Sequence, residues 1–136
     1  MLTYLDANVL IWMSRGDTDS GLRALTILNE PLRRFASSPF LQLETLPLAT
    51  FNRRTDQVEI LNGYFQTVDR WASINPELIA EASAIAVQYG LAAMDALHLA
   101  SAIAVGAEEF VTAERPTRRL CQVPIIRVRS IHPDAS

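Results

Sequence analysis

Lysine is absent from this sequence of 136 residues, and cysteine and histidine are scarce, with one and two copies respectively. A single cysteine excludes an internal disulfide framework and a four-cysteine zinc site, and two histidines exclude a zinc finger. Without lysine, the chain lacks the Gly-Lys pair of a P-loop. It also lacks the lysine that aspartyl-phosphate enzymes, such as receiver domains, normally place near the phosphoryl group. Oxygen ligands are the plentiful ones, and these suit hard cations such as Mg²⁺ or Mn²⁺.

A large excess of charge of one sign is also lacking. Twelve basic residues, all arginine, stand against 15 acidic ones, for a net charge of −3. This balance differs from the strong basic excess of a sequence-reading DNA-binding protein. The arginines nevertheless cluster, either as solvated surface or as phosphate contacts. These clusters are Arg33-Arg34, Arg53-Arg54, Arg118-Arg119 and Arg127/Arg129.

No apolar run is long enough to indicate a membrane segment. The longest, residues 91–107, contains Asp95 and His98 and falls short of a membrane span. Asp6 lies where the apolar part of a signal peptide would have to be. We therefore expect a soluble, cytoplasmic protein without a membrane partner.

Short apolar segments alternate with helical patterns along the chain. This order, without a hairpin signal, predicts an α/β fold whose sheet is mostly parallel and covered by helices on both faces. We expect one domain over residues 1–130 and a loose C-terminal tail over 131–136. The predicted strands are residues 2–5, 33–37, 110–112 and 124–128. The predicted helices are residues 8–13, 22–28, one from 38 that carries Glu44, 56–68, 75–90 and 94–105, with a helical turn at 117–120.

Three helix starts have local signals. Ser38 followed by proline, and Asn75 followed by Pro76, are typical of a capping residue before a first-turn proline. Residues 56–59 match a capping box. Gly90 is expected to end the helix that Asn75 opens.

Four carboxylates interrupt or directly follow apolar segments: Asp6, Glu44, Asp95 and Glu114. A buried carboxylate needs a metal ion, a cationic partner or a proton, because an isolated buried charge is costly. Only Glu114 has an arginine in its own segment, at Arg115. Several such acids without dedicated cations indicate a divalent-metal site.

These acids can meet because ligands of open α/β sheets bind outside the carboxyl ends of the strands. Asp6 ends the first predicted strand, and Glu114 follows a later one. Asp95 falls in the first turn of its helix, and Glu44 lies on a helix that can lean over the same edge. We therefore expect the four acids to lie on one rim of the sheet.

The segments around these acids resemble the PIN-domain ribonucleases, particularly the VapC-type toxins. The resemblance covers residues 1 to about 128, with the motifs in the family's order. The motifs are Tyr4-Leu5-Asp6-Ala7-Asn8-Val9-Leu10-Ile11, Ser38 to Leu46, Met94-Asp95-Ala96-Leu97-His98-Leu99-Ala100 and Phe110-Val111-Thr112-Ala113-Glu114-Arg115.

The resemblance implies a three-layer α/β/α sandwich with an acidic metal site at the edge of its parallel sheet. It also implies an Mg²⁺- or Mn²⁺-dependent endoribonuclease, often a homodimer, that is inhibited by an antitoxin protein. Asp6, Glu44 and Asp95 match the three most constant acids of the family. Glu114 stands where the family more usually has aspartate, so its longer side chain acts on the metal directly or through water.

Within this set, we expect Asp6 and Asp95 to ligate metal directly. Glu44 would orient the attacking water or ligate through it. Asn8 and Thr112 offer neutral polar groups near the same rim and are candidates to support the ligands.

Simpler interpretations exist for each residue. Asp6 can cap the following helix, Asp95 can favour a helix N-terminus, and Glu44 can be an exposed surface residue. His98, one turn after Asp95, is expected to be a core histidine bonded to backbone. The alternative function is a catalytically weak PIN-like module that binds RNA or protein.

Overall fold

Five short strands form one sheet, in the order β3-β2-β1-β4-β5, in the computed structural model, which describes residues 1–16 and 18–135. Every pairing between these strands is parallel. The strands are β1 (Leu2–Leu5), β2 (Arg34–Ser37), β3 (Arg70–Trp71), β4 (Glu109–Thr112) and β5 (Arg127–Ser130). The helices are α1 (Ala7–Ser14), α2 (Asp19–Leu28), α3 (Pro39–Phe51), α4 (Thr55–Gln66), α5 (Pro76–Tyr89) and α6 (Ala93–Ala104), with a 3-10 turn at Arg119–Gln122.

Helices cover both faces of the sheet. Successive side chains of a strand point to opposite faces, and every residue of β1 and β4 is buried. Both central strands therefore read as apolar runs, as expected for a parallel sheet covered on each side. Tyr4, Leu5, Phe110 and Val111 are each 0% exposed. The predicted three-layer α/β/α sandwich with a parallel sheet is confirmed.

The strand order reverses beside β1. From β1 the chain adds β2 and β3 on one side, and it then returns to add β4 and β5 on the other. Such a switch point opens a crevice at the carboxyl ends of the two strands that flank it. The end of β1 leads into Asp6, and the end of β4 leads into Glu114 two residues later. The topology thus delivers two of the four acids to one edge.

The helix starts follow their local signals only in part. Asn75 accepts a hydrogen bond from the Leu78 backbone nitrogen at 2.8 Å, and α5 ends at Gly90 with a left-handed φ of 66°. Ser38 precedes α3 but makes no capping bond. The predicted capping box over residues 56–59 is wrong: α4 begins at Thr55, because the Val58 nitrogen already donates to the Arg54 carbonyl.

Two strands differ from the prediction. The last strand is Arg127–Ser130 rather than 124–128, because its register is set by pairing with β4, which begins at Glu109 opposite Arg127. Pro124 also lacks the N–H that a sheet ladder needs. Strand β3 has only two residues, both exposed, and no sequence signal predicts it.

A buried ion cluster lies at the amino ends of the strands, opposite the acidic edge. Arg33 donates to Glu109 at 2.8 Å, to Glu30 at 2.6 Å and to Thr3 at 2.8 Å. The side chains of Arg33 and Glu109 are only 6% and 2% exposed, and Arg127 also contacts Glu109 at 3.1 Å. Arg33 is therefore neither solvated surface nor a phosphate contact, since its donors are used inside the protein.

The packed part of the domain includes Ile131, which is 7% exposed and whose nitrogen donates to the Thr112 carbonyl at 2.9 Å. The extent of the domain and its tail otherwise stays a prediction, and Ser136 lies outside the described residues. Among the helices of residues 1–16 and 18–135, none combines the length and apolar composition needed to cross a membrane.

Candidate active site

Asp6 is locked in place between β1 and α1. Its backbone nitrogen donates to the Val111 carbonyl of β4 at 2.9 Å. One carboxylate oxygen accepts from the Ala7 nitrogen at 2.8 Å, and the other accepts from the Thr112 hydroxyl at 3.0 Å. The residue is 6% exposed. Asp6 thus does cap α1, as the simpler interpretation expects, and each oxygen retains capacity for a further contact.

Burial dominates the ionisation of Asp6. Desolvation raises the pKa of this carboxyl, and the nearby charge of Glu44 adds to the rise. Opposing effects that favour the charged form come from His98, the Ala7 N–H and the Thr112 hydroxyl. Within the described part of the chain, no arginine or histidine forms an ion pair with Asp6. The negative charge of this buried group is therefore left without a dedicated cation.

Asp95 lies in the first turn of α6 and is half-buried. Desolvation, followed by the charges of Asp6 and Glu114, raises the pKa of Asp95 to about 6, against weaker opposing effects of His98 and Arg118. Because charges interact strongly only at short range in salt solution, the effect of Asp6 and Glu114 on Asp95 indicates that the three carboxylates lie near one another. That the four acids form one metal site stays a prediction.

Glu114 is held at the same rim from two sides. Its backbone nitrogen donates to the Thr112 hydroxyl at 3.1 Å. Its carboxylate lies 3.8 Å from the Arg118 guanidinium, and its side chain is 31% exposed. Arg115, the arginine beside it in sequence, instead lies 3.9 Å from Asp134. The cation near Glu114 is therefore Arg118, four residues later in a non-helical turn, and its side chain is 65% exposed.

Glu44 reaches the site from α3. Its side chain is 32% exposed, and one carboxylate oxygen contacts Nε2 of His98 on α6. Nδ1 of the same ring lies 2.9 Å from the Tyr4 hydroxyl. His98 is 1% exposed, so its predicted core position is confirmed. Its predicted bond to backbone is wrong, because both ring nitrogens bond to side chains.

The two neutral candidates differ in their placement. Thr112 is 0% exposed and contacts both Asp6 and the backbone of Glu114. Asn8 is exposed, and its side chain makes no hydrogen bond to the residues that the structure describes. The structure therefore brings Thr112, and not Asn8, into contact with the acids. His98 is the residue that the sequence interpretation undervalued, although its position three residues after Asp95 puts both on one helix face.

The donor set fits a hard divalent cation in its chemistry. Asp6 and Asp95 supply carboxylate oxygens that form no ion pair within the described residues, and the charges of His98 and Arg118 offset theirs only in part. Across residues 1–16 and 18–135, however, no group of three or more His, Cys, Asp or Glu side chains is arranged to hold a metal ion. Mg²⁺ commonly keeps several waters and is bound by one or two carboxylates plus substrate phosphate. The residues fit that open mode and do not fit a closed protein cage.

A groove of about 600 Å³ runs beside Glu44. Arg15 and Arg54 line it together with apolar side chains such as Leu48 and Leu61. Asp56 also lines this groove, whereas Asp6, Asp95 and Glu114 do not. The groove therefore places two arginines on the same surface as Glu44.

Replacing Asp95 with asparagine is expected to change the pH dependence of stability in metal-free buffer. The folded-state pKa of Asp95, about 6, lies above its ordinary value of 3.8. The stability contribution of this group is therefore full below pH 4 and is lost as the pH rises through 6. The full shift corresponds to about 3 kcal/mol, which we reduce to about 1 kcal/mol because the group is half-exposed.

Urea unfolding of both proteins in EDTA, at pH 4 and pH 7, measures this difference. As the pH rises from 4 to 7, the free energy of unfolding of the asparagine variant should increase by about 1 kcal/mol relative to that of wild type. Equal pH dependence of the two proteins would contradict the assignment of Asp95 to a crowded acidic rim.

Solved structures share this architecture. A toxin–antitoxin complex from Klebsiella pneumoniae is 21% identical, with a TM-score of 0.75 over 96% of this chain and 98% of that one. VapBC2 from Rickettsia felis, bound to a DNA fragment from their promoter, is 16% identical, with a TM-score of 0.70 over 96% and 98% of the two chains. DNA-bound VapBC from Salmonella typhimurium is 18% identical, with a TM-score of 0.69 over 96% and 99%. These TM-scores over nearly the full length of both chains show a shared fold, whereas function must be argued from the site.

Comparison with curated protein sequences gave no significant match. The family model of the PIN domain matches residues 3–122, which span β1 through the 3-10 turn and include all four acids. This match agrees with the strand order and with the position of the acids at the edge of the sheet. The chain therefore belongs to the PIN domain family.

Proposed function

We propose that this protein is a divalent-metal-dependent endoribonuclease that hydrolyses phosphodiester bonds of RNA. One observation carries the proposal: Asp95 is half-buried and faces the charges of Asp6 and Glu114, so that desolvation first, and these charges second, raise its pKa to about 6. Such repulsion between carboxylates is relieved by a bound cation. Perturbed acids of this kind are typical of functional sites.

Asp6 and Asp95 would hold Mg²⁺ or Mn²⁺. When bound, the ion supplies positive charge that offsets the carboxylates and stabilises charge developing on the scissile phosphate. Thr112 orients Asp6 through its hydroxyl, at 3.0 Å. The capping bond from the Ala7 nitrogen orients the other oxygen, at 2.8 Å. The ligand geometry of Asp6 is therefore preset by β4 and α1.

Glu44 and Glu114 flank these two residues. Glu44 uses one oxygen on His98, which leaves the other to orient a water and accept its proton. Glu114 is partly neutralised by Arg118 at 3.8 Å, so we assign it a contact through water. The same guanidinium, 65% exposed, is available to an RNA phosphate. Arg15 and Arg54 extend this basic surface along the groove.

The biological setting that we propose is a toxin–antitoxin pair. The structures with matching folds include a toxin–antitoxin complex and VapBC assemblies, and this chain spans nearly the full length of the matched chains. An antitoxin protein is therefore the expected partner. A homodimer is also expected, and exposed apolar side chains on α3 outside the groove support it: Leu43 and Phe51, at 68% and 82% exposure.

Incubating the purified protein with single-stranded RNA tests the enzymatic proposal. We expect cleavage with Mg²⁺ or Mn²⁺, loss of cleavage in EDTA, and recovery when excess Mn²⁺ is returned. A DNA strand of the same sequence serves as the control for RNA specificity. Cleavage that persists undiminished in EDTA would remove metal dependence from the proposal.

The alternative is a PIN-like module that binds RNA or protein without efficient catalysis. The observation that favours it is the absence, among the described residues, of three or more side chains arranged around one ion. Such a module would retain RNA in a gel-shift assay and leave it intact with or without Mn²⁺. The cleavage assay therefore separates the two functions directly.

A further inference from the structure

A chain of hydrogen bonds connects the candidate active site to the core. The Glu44 carboxylate contacts Nε2 of His98, whose Nδ1 lies 2.9 Å from the Tyr4 hydroxyl. That hydroxyl lies 2.8 Å from Oγ of Ser38. Tyr4 and Ser38 are 0% exposed and His98 is 1% exposed. A carboxylate on α3 is therefore tied to α6 and β1 through fully buried groups.

The direction of the outer bond follows from chemistry. A carboxylate oxygen only accepts, so Nε2 of His98 carries the hydrogen that faces Glu44. Burial raises the pKa of the Tyr4 phenol, which therefore keeps its proton. In a neutral ring, Nδ1 accepts from Tyr4, and in a charged ring it donates to Tyr4, which then donates to Ser38. In both arrangements, the N–H of His98 Nε2 donates to the Glu44 carboxylate.

We propose that His98 is a positioning residue that holds the Glu44 carboxylate at the acidic rim, where Glu44 contributes to metal binding directly or through water. The proposal rests on the proposed nuclease function. A partly exposed glutamate is well solvated by water, and it loses rotamer freedom when it is fixed in one position. The Glu44 side chain is 32% exposed and is nevertheless fixed by its contact with His98. His98 lies on α6 together with Asp95. Groups that orient ligands in this way commonly affect metal affinity or activity by 10- to 100-fold when they are replaced (order of magnitude).

Two amide replacements of His98 distinguish the positioning of Glu44 from the packing of the imidazole ring in the core. Glutamine is long enough to place its amide nitrogen near the position of Nε2 and keep the bond to Glu44. Asparagine reaches only the position of Nδ1, so it keeps a polar group toward Tyr4 and loses Glu44. Both variants leave a buried amide in place of the ring, and urea unfolding reports whether each is folded.

Mn²⁺ affinity, measured by electron paramagnetic resonance without RNA, is the first readout. We expect His98→Asn to bind Mn²⁺ about tenfold more weakly than wild type and His98→Gln to stay close to wild type. In a Glu44→Ala background, His98→Asn should cause no further loss, because its effect acts through Glu44. RNA cleavage by the same proteins is the second readout, with the loss expected in kcat rather than KM.

The results decide the proposal as follows. Equal Mn²⁺ affinity of the folded Asn and Gln variants, or an undiminished loss in the Glu44→Ala background, overturns it. If the wild type binds Mn²⁺ but leaves RNA intact, the nuclease function fails while the affinities still judge the positioning role. If the wild type binds no Mn²⁺, the positioning role is overturned as well. If neither His98 variant folds, Tyr4→Phe decides: weaker Mn²⁺ binding supports the proposal, and unchanged binding overturns it.

Discussion

Replacing Asp6 with asparagine is expected to abolish RNA cleavage while the protein stays folded. Asparagine caps a helix as well as aspartate does, so it can keep the bond from the Ala7 nitrogen that Asp6 accepts at 2.8 Å. Its amide can also pair with the Thr112 hydroxyl. What it cannot supply is the negative charge that holds a cation. Because such a cation is worth several kcal/mol to the transition state, we expect a loss of about 100- to 10,000-fold in kcat.

Stability should move in the opposite direction to activity. Burial raises the pKa of Asp6, which means that the folded protein bears a cost for this charge. Asparagine removes that cost, so in EDTA at neutral pH the variant should be at least as stable as wild type. Asp6→Ala loses the cap and should be less stable than Asp6→Asn by about 1 kcal/mol.

Cleavage assays and urea unfolding on the same preparations test both parts. Asp69→Asn is the matched control, since this exposed aspartate only forms a surface ion pair with Arg34, at 3.6 Å. The control should cleave RNA like wild type. If Asp6→Asn cleaves RNA at a comparable rate, Asp6 is only a helix cap and the metal-dependent mechanism proposed for this rim is wrong.

Replacing Arg33 with methionine is expected to destabilise the protein by about 3 kcal/mol. Arg33 is 6% exposed and donates to Glu30, Glu109 and Thr3. Its removal leaves Glu109, 2% exposed, with a single contact to Arg127, whose side chain is 72% exposed. Breaking a buried pair from one side is costly because the remaining charge stays desolvated. This cost lies at the lower end of the usual range for breaking a buried ion pair, because Arg127 still contacts Glu109.

The neighbouring Arg34 provides the control. It is also an arginine of this strand region, but it is 56% exposed and its ion pair with Asp69 spans 3.6 Å. Arg34→Met should therefore cost less than about 1 kcal/mol. Combining Arg33→Met with Glu109→Gln should recover much of the loss, since no isolated buried charge remains. Equal destabilisation by the two single arginine variants in urea unfolding would show that the buried cluster has no special role.

Predictions from sequence succeeded where the signal was local. The start of α5 is encoded by Asn75 and Pro76, whose capping bond and fixed φ act within one turn. The end of α5 at Gly90 likewise depends on one residue that adopts a positive φ without strain. Apolar runs over β1 and β4 also sufficed to predict central strands, since both faces of a covered parallel sheet are apolar.

Predictions failed where the outcome depends on distant residues. The boundaries of β5 follow from its register against Glu109 and its neighbours in β4, and β3 exists only because it pairs with two residues of β2. Glu109, the buried partner of Arg33, lies 76 residues away, so the sequence does not distinguish Arg33 from a surface arginine. The expected backbone bond of His98 fails for the same reason, since the helix pattern contains no sign of Tyr4 or Glu44.

Adjacent residues were enough to predict the α/β class and the edge of the sheet at which Asp6 and Glu114 lie, and to select the four acids as candidates. These follow from apolar periodicity and from the position of each acid relative to a strand end, both of which are properties of adjacent residues. The folded structure was needed to show that Glu44 contacts His98, that Thr112 rather than Asn8 contacts Asp6, and that the Arg33 side chain is buried. Those contacts join segments far apart in the chain, and their energies depend on burial, which is known only once the sheet and helices have packed.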